Sequence, residues 1–438
     1  MARTRVIYQS EAVYCTVNSA FNAAALSDGD IEQLARVQSA NYSFSVSRQD
    51  VNQFGNLAAI DQIITESPTV SFDTSYYLAN FSNENRLGFS VTPSGNGTFA
   101  SCIENIIDST TTDYQKNYFV LTTKEGKDAN DNTTTGDFSY GASTIGVGNA
   151  FLSSYSSEGA VGGLPTVSVS VEGQNMNFVN LPYISGLGKA GGLANYNGAG
   201  FEYTNGDSDQ AVLYISGDSP AVDSSNGQSV GKTVKLPVPV TDLSTADGDS
   251  ISTLRPGDIT LTLAKQLAGT WRTEGNTATG LYQSTEANLI TNPDYAGANI
   301  SNAHIQSYNL SFDLSRSPIQ KLGNKFSFAR TIDFPINASL SIDAVLSNLT
   351  TGSLADIINC DDKFDARITL KNPKCYDGSH DDNAVCNYIL KGLKLDSQSF
   401  SSDIGSNKSV TLDFSTQIGG PDQFDHGIFM SGYHVPDA

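Results

Sequence analysis

Apolar and polar residues alternate with period two along much of this chain, the pattern of strands that bury one face. Tyr42, Phe44 and Val46 alternate with Asn41, Ser43, Ser45 and Ser47. Val70, Phe72, Thr74 and Tyr76 alternate with Ser71, Asp73 and Ser75, and Val167, Val169 and Val171 with Ser168, Ser170 and Glu172. Helical spacing is confined to Asp30–Val37, Ile103–Asp108 and Leu354–Ile358. Clusters of Gly, Asn and Asp at Lys124–Thr135 and Asn205–Asp209 predict turns. The expected fold class is mainly β with short helices.

The pattern repeats. Arg36–Asn56 and His304–Asn324 align without a gap at an offset of 268, with nine of 21 positions identical, among them Asn41, Ser43, Phe44, Ser47, Arg48, Gly55 and Asn56. The register runs on through Val70/Ala338, Phe72/Leu340 and Thr74/Ile342. A second echo follows at an offset of 243: Val167-x-Val169-x-Val171 matches Val410-x-Leu412-x-Phe414, and Gln174 meets Gln417. The unequal offsets place extra residues in the first copy, in the polar stretch Lys124–Gly141. A tandem duplication of one β domain is therefore expected. The copies are placed at 1–180 and 254–438, each opening on a strand (Val6–Val17 and Leu254–Leu263), with a connecting or inserted β/loop region at 181–253.

Charge and motifs narrow the chemistry. In 438 residues, 25 Lys+Arg stand against 46 Asp+Glu, a net charge of −21, so binding nucleic acid through a basic surface is excluded as the main activity. Apolar runs reach four or five residues, as in Ala23–Leu26, against the ~20 that a spanning helix needs. The first ten residues carry cations with no apolar run behind them. This predicts folding in a cytoplasm, with Cys15, Cys102, Cys360, Cys375 and Cys386 as thiols rather than a disulfide framework.

The candidate chemical motifs fail on context. Gly186-Leu-Gly-Lys-Ala-Gly191 fits a dinucleotide fingerprint, but the glycine-rich run after it cannot propagate the helix that receives a pyrophosphate. Gly227–Thr233 lacks the first glycine of a phosphate loop and leads into an extended Pro-rich run. Cys360, Cys375, His380 and Cys386 lack zinc spacing, and Asp128–Asn132 lacks the glycine and glutamate of a calcium loop. No Gly-x-Ser-x-Gly elbow is present. Neither an enzyme nor a cofactor or metal site is expected.

What remains is the polar side of the strands. It comprises Asn41, Ser43, Ser45, Ser47, Ser71, Asp73, Ser75, Ser168, Ser170 and Glu172 in the first copy. In the second it comprises Asn309, Ser311, Asp313, Ser315, Asn337, Ser339, Ser341, Asp343, Ser409, Thr411, Asp413 and Ser415. Five of these 22 positions are acidic and none is basic. Water-facing strands ordinarily carry Lys and other large side chains. Small hydroxyls and acids suit a passage for a polyanion, because the cations that grip phosphate are missing.

The stretches RVQSANYSFSVSRQDVNQFGNLAAIDQI, TVSFDTSYYL, FLSSYSSEGAVGGLPTVSVSVEGQN and IQSYNLSFDLSRSPIQKLG resemble the major tail tube proteins of long-tailed bacteriophages. The doubling makes the chain most similar to the T5-like type. The resemblance implies a β-sandwich/barrel domain whose sheet joins its neighbours into a closed β-barrel ring of three chains with pseudo-sixfold symmetry. Such rings stack into a virion tail, assembled in the host cytoplasm. They meet tape-measure, baseplate or tail-tip, and terminator proteins, and conduct DNA without binding it specifically. On this reading Asp73, Glu172, Asp313, Asp343 and Asp413 face the channel, and Arg48 and Arg316, which close the same strand in each copy, make inter-domain or inter-subunit pairs. The alternative is a receptor- or carbohydrate-binding β module of a virion or cell surface.

Overall fold

The computed structural model describes residues 6–16, 31–66, 68–93, 100–107, 116–124, 143–173, 175–180, 253–265, 303–319, 322, 329–346, 363–371, 384–401, 409–420 and 426–432. In the first half these form β1 (Val6–Thr16), β2 (Ile31–Gln33), β3 (Val37–Ser45), β4 (Arg48–Val51), β5 (Asp61–Ile64), β6 (Thr69–Tyr77), α1 (Ser82–Leu87), β7 (Val91–Pro93), α2 (Glu104–Ile107), β8 (Lys116–Lys124), β9 (Ser143–Ala160), β10 (Thr166–Gly173) and β11 (Asn175–Asn180). In the second half they form a 3-10 turn at Pro256–Asp258, β12 (Ile259–Lys265), β13 (Ala303–Asp313), β14 (Arg316–Ile319), β15 (Ala329–Ile332), β16 (Ile336–Leu346), β17 (Phe364–Lys371), β18 (Ala384–Ser401), β19 (Ser409–Ile418) and β20 (Gly427–Gly432). The chain is mainly β, as the alternation predicts.

Eight strands run side by side in the order β18-β19-β16-β13-β9-β10-β6-β3, every neighbour antiparallel. Two of them, β9 and β18, are long enough to serve two layers. The start of β9 pairs with β8 and β11, and its remainder with β10 and β13. The start of β18 pairs with β17 and β20, and its remainder with β19. Each carries a bulge: Ser153 of β9 is the extra residue opposite Ser170 and Val171 of β10, and Asp396 of β18 is the extra residue opposite Asp413 and Phe414 of β19. A bulge bends a strand and sharpens its twist, which lets one strand leave one layer for another.

The apolar face of the eight-stranded sheet is buried: Phe72, Tyr76, Val169, Tyr155, Leu310, Phe312, Leu340, Leu412 and Phe414 are at most 2% exposed. Residues 78–93 and 100–107 tie the two halves together. Phe81 meets Tyr388 edge-on at 5.0 Å, and Phe89 meets Tyr155 at 5.0 Å and Phe312 at 6.1 Å. The strand β7 lies parallel to β20, and the Cys102 amide donates to the Ile428 carbonyl at 2.9 Å.

Several expectations change. Asp30–Val37 is not helical over its described part: Ile31–Gln33 is a strand on the end of β1, and Arg36 turns the chain with φ of 59°. Pairing to β1 outweighs a short stretch of helical spacing. The helix expected at Ile103–Asp108 is present as Glu104–Ile107. The strand expected at Leu254–Leu263 begins after the 3-10 turn, at Ile259. Tyr42 and Phe44, expected in the core, are 40% and 48% exposed, because β3 is an outer strand of the sheet. Among the described residues of one chain the sheet is open and does not close into a barrel. Leu354–Ile358, nearly all of 181–253, Asn205–Asp209, Cys360, Cys375 and all of Lys124–Gly141 beyond Lys124 lie outside the described residues.

Candidate functional site

The face opposite the core is a field of small polar side chains in cross-strand rows. One row runs Asn41, Asp73, Ser170, Ser154, Asp313. Another runs Ser397, Asp413, Ser341, Asn309, Glu158, Thr166. A third runs Ser399, Thr411, Asp343, Ser307. Period-two geometry places Asp73, Glu172, Asp313, Asp343 and Asp413 on this one face, although the residues come from five strands. Four of the five are exposed and Asp413 is half-buried.

Adjacent hydroxyls hold the carboxylates. Ser341 donates to Asp413 at 2.7 Å and Ser397 at 2.5 Å, while Ser307 and Thr411 donate to Asp343 at 2.8 and 2.5 Å. Serines pair across strands as Ser43–Ser71 at 2.6 Å and Ser311–Ser339 at 2.8 Å. Such bonds fix short side chains flat against the sheet and leave a smooth anionic surface. Glu158 on β9, bonded by Thr166 at 2.9 Å, joins the set although sequence reasoning missed it. Its strand reads Ser153-Ser-Tyr-Ser-Ser-Glu158, whose two serine pairs blur the alternation.

Chemistry beyond charge is sparse here. Among the described residues, no group of three His, Cys, Asp or Glu is placed to hold a metal ion.

The second feature is the seam where the halves meet. The strands β13 and β9 pair over seven residues, from Ser307 opposite Ala160 to Asp313 opposite Ser154. Phe312 stacks on Tyr155 at 5.3 Å, a contact worth about 1 kcal/mol beyond its buried area. At Gly159 a side chain is impossible without movement, since a Cβ there stands 2.6 Å from the Tyr308 ring. The seam extends into the β14–β15 hairpin. The guanidiniums of Arg316 and Arg330 lie 4.9 and 5.7 Å from the Phe151 ring centre, and Arg330 reaches Glu172 at 3.3 Å. Burial presses the Arg330 guanidinium below its ordinary pKa, and Glu172 opposes that shift.

Arg316 and Glu172 therefore stand at a contact between halves, and Arg330 completes it. Arg48, at the matching place on β4, is exposed and meets no described acid. The five acids share one face, and the two arginines occupy equivalent hairpins that differ in what covers them.

The outer edges of the sheet are β3 on one side and Lys394–Ser401 of β18 on the other; neither pairs with a described strand there. An offset of 268 carries β13 onto β3. An offset of 243 carries Phe151–Glu158 of β9, bulge included, onto Lys394–Ser401. The open edges thus correspond to the two strands already joined in the seam. Where the seam buries Leu310, Phe312, Tyr155 and Ser157, the open edges leave Tyr42, Phe44 and Phe400 40–48% exposed.

No protein-family model and no curated protein matches this chain. Among solved structures, one chain in the cryo-EM structure of the anti-feeding prophage (AFP) baseplate, 6-fold symmetrised, is similar over 31% of this chain and 92% of that chain, at 16% identity and a TM-score of 0.23.

Proposed function

We propose that this chain is a structural subunit of a phage tail tube, similar to the T5-like type, in which two copies of one tube domain sit in tandem. Three chains join head to tail into a ring, and rings stack into a tube whose wall is the small-residue anionic face. The observation that carries this reading is the correspondence between the β13–β9 seam and the two open edges. A contact made once inside the chain, with its complementary halves free at either end, is a heterologous interface that repeats until it closes. Closure also removes the edges, which otherwise template uncontrolled pairing.

Size favours three chains. Eight strands per chain, ~4.8 Å apart and tilted by ~40°, close at a backbone diameter of about 48 Å for three chains and about 32 Å for two. A duplex roughly 20 Å across, with its hydration, passes the first after side chains are allowed for and is gripped by the second. Asp73, Glu158, Asp313, Asp343 and Asp413 then repel the phosphates of the passing genome, while Glu172 is partly neutralised by Arg330. Tape-measure, tail-tip and terminator proteins set where the tube begins and ends.

Negative-stain images of the purified chain at high concentration test the reading. Rings or tubes with a central channel are expected. Isolated globules at every concentration, with or without a tip complex to start growth, contradict it and favour a surface-recognition module.

A further inference from the structure

We propose that the cavity beside β18 and β19 is the socket for the β4–β5 hairpin of a second copy of this chain, and that its charges are reversed from those of the seam inside the chain. The cavity, about 710 Å³, is lined among others by Lys394, Asp396 and Ser415, with Lys363 and His426 at its side. The 243 offset makes Lys394 the counterpart of Phe151, Asp396 of Ser153 and Ser415 of Glu172. Those first-half positions are where the β14–β15 hairpin sits: Arg316 and Arg330 cover Phe151, Arg330 binds Glu172, and the Leu314 amide donates to the Ser153 carbonyl at 2.7 Å. The second half thus presents an open socket at the place its twin keeps filled.

The matching plug is the β4–β5 hairpin. It pairs as β14–β15 does, Arg48 opposite Ile64 as Arg316 is opposite Ile332. It also exposes Ile60, Ile63 and Ile64 at 41–52%. Its charge differs. Gln62 stands where Arg330 does, and Asp50 and Asp61 flank it, so this plug is acidic apart from Arg48. The socket differs in the complementary sense: Lys394 replaces the aromatic ring, the neutral Ser415 replaces the carboxylate, and Lys363 adds a second cation to the lining.

Inside the chain a basic plug meets an acidic socket; between chains an acidic plug meets a basic socket, whose one acid in the lining equivalent to the seam, Asp396, is available to Arg48. Reversed polarity discriminates: the β4–β5 hairpin is repelled by Glu172, and the β14–β15 hairpin by Lys394. Each seam then accepts its own plug, which keeps the two halves in strict alternation around a ring.

This inference rests on the ring reading, and the experiment separates the two. A Tyr42→Cys/Phe400→Cys pair places two thiols opposite each other in the edge register copied from Leu310 and Ser157, and oxidation is expected to give covalent multimers whenever chains join edge to edge. In that background, Lys394→Glu alone and Asp50→Lys/Asp61→Lys alone are expected to lower the assembled fraction on the order of tenfold at fixed concentration, and all three changes together to restore it to within about twofold. The changed residues are exposed, so thermal melts of the unassembled chains stay unchanged. Cross-linked rings that form equally well in every charge variant overturn the socket while leaving the ring intact. A parent chain that yields neither rings nor cross-links overturns both.

Discussion

Replacing Glu84 with Gln removes a pH dependence that the fold builds into its own centre. Glu84 lies on α1, is fully buried, and accepts hydrogen bonds from Tyr76 at 2.9 Å and Tyr155 at 3.1 Å. Tyr155 is bonded in turn to Tyr388 of the second half at 2.8 Å, so the carboxyl anchors a chain of hydroxyls across the two halves. Its second oxygen has no partner among the described residues. Burial pushes the carboxyl from its ordinary 4.5 up to about 7, against the opposing pull of the two tyrosine hydroxyls and a backbone bond.

An acid whose folded pKa is raised favours the fold when protonated. Its contribution is complete below pH 4.5 and is lost as pH rises through 7. Raising the carboxyl from 4.5 to about 7 corresponds to about 3 kcal/mol, a large share of a domain's net stability. Glu84→Gln keeps the accepting oxygen and cannot ionise, so it behaves as the protonated form at every pH. Urea unfolding of the unassembled chain and of the variant at pH 5 and pH 9 measures the effect. The variant gains about 3 kcal/mol on the parent between the two pH values. A difference that is the same at both refutes a buried, ionising Glu84.

Other perturbations follow from the same contacts. Arg330→Ala uncovers Phe151 and frees Glu172, and is expected to cost about 1–2 kcal/mol in thermal unfolding, the ion pair adding little because Glu172 is half exposed. Burial pushes the Cys15 thiol up to about 11 and that of Cys102 further, so neither reacts with Ellman's reagent at pH 8 in the native chain, and both titrate after unfolding. Changing Asp73, Asp313 and Asp343 together to Lys leaves unfolding midpoints nearly unchanged and tail length normal, but slows genome ejection in a salt-sensitive way; parental ejection rates at low salt place these carboxylates off the channel wall.

Period-two alternation was legible wherever a strand had one wet and one buried face, as in Val167–Glu172 or Leu340–Asp343, and it located the anionic face from sequence. It could not report which apolar residues lack a covering layer, so Tyr42 and Phe44 read as core. The long strands β9 and β18 were illegible because each changes partners midway and carries a bulge, which breaks the period at Ser153 and Asp396. The helix α1 gave no signal either: its buried positions include Ser82, Asn83, Glu84 and Arg86, polar residues held by tertiary partners such as the Ala35 backbone and Glu32. The seam escaped for a different reason. Pairing between residues 147 to 159 positions apart leaves no local trace, and Arg330 lies just past the aligned repeat that drew attention to Arg316.

The most direct test of the account is the mass and symmetry of an assembled ring. Native mass spectrometry combined with rotational averaging of end-on images counts the chains and compares the six positions around the channel. Three chains with sixfold pseudo-symmetry, alternating between the intra-chain and inter-chain seams, are predicted. Six chains with true sixfold symmetry contradict the account, because one half of each chain is then outside the channel wall and the open edges of β3 and β18 do not meet.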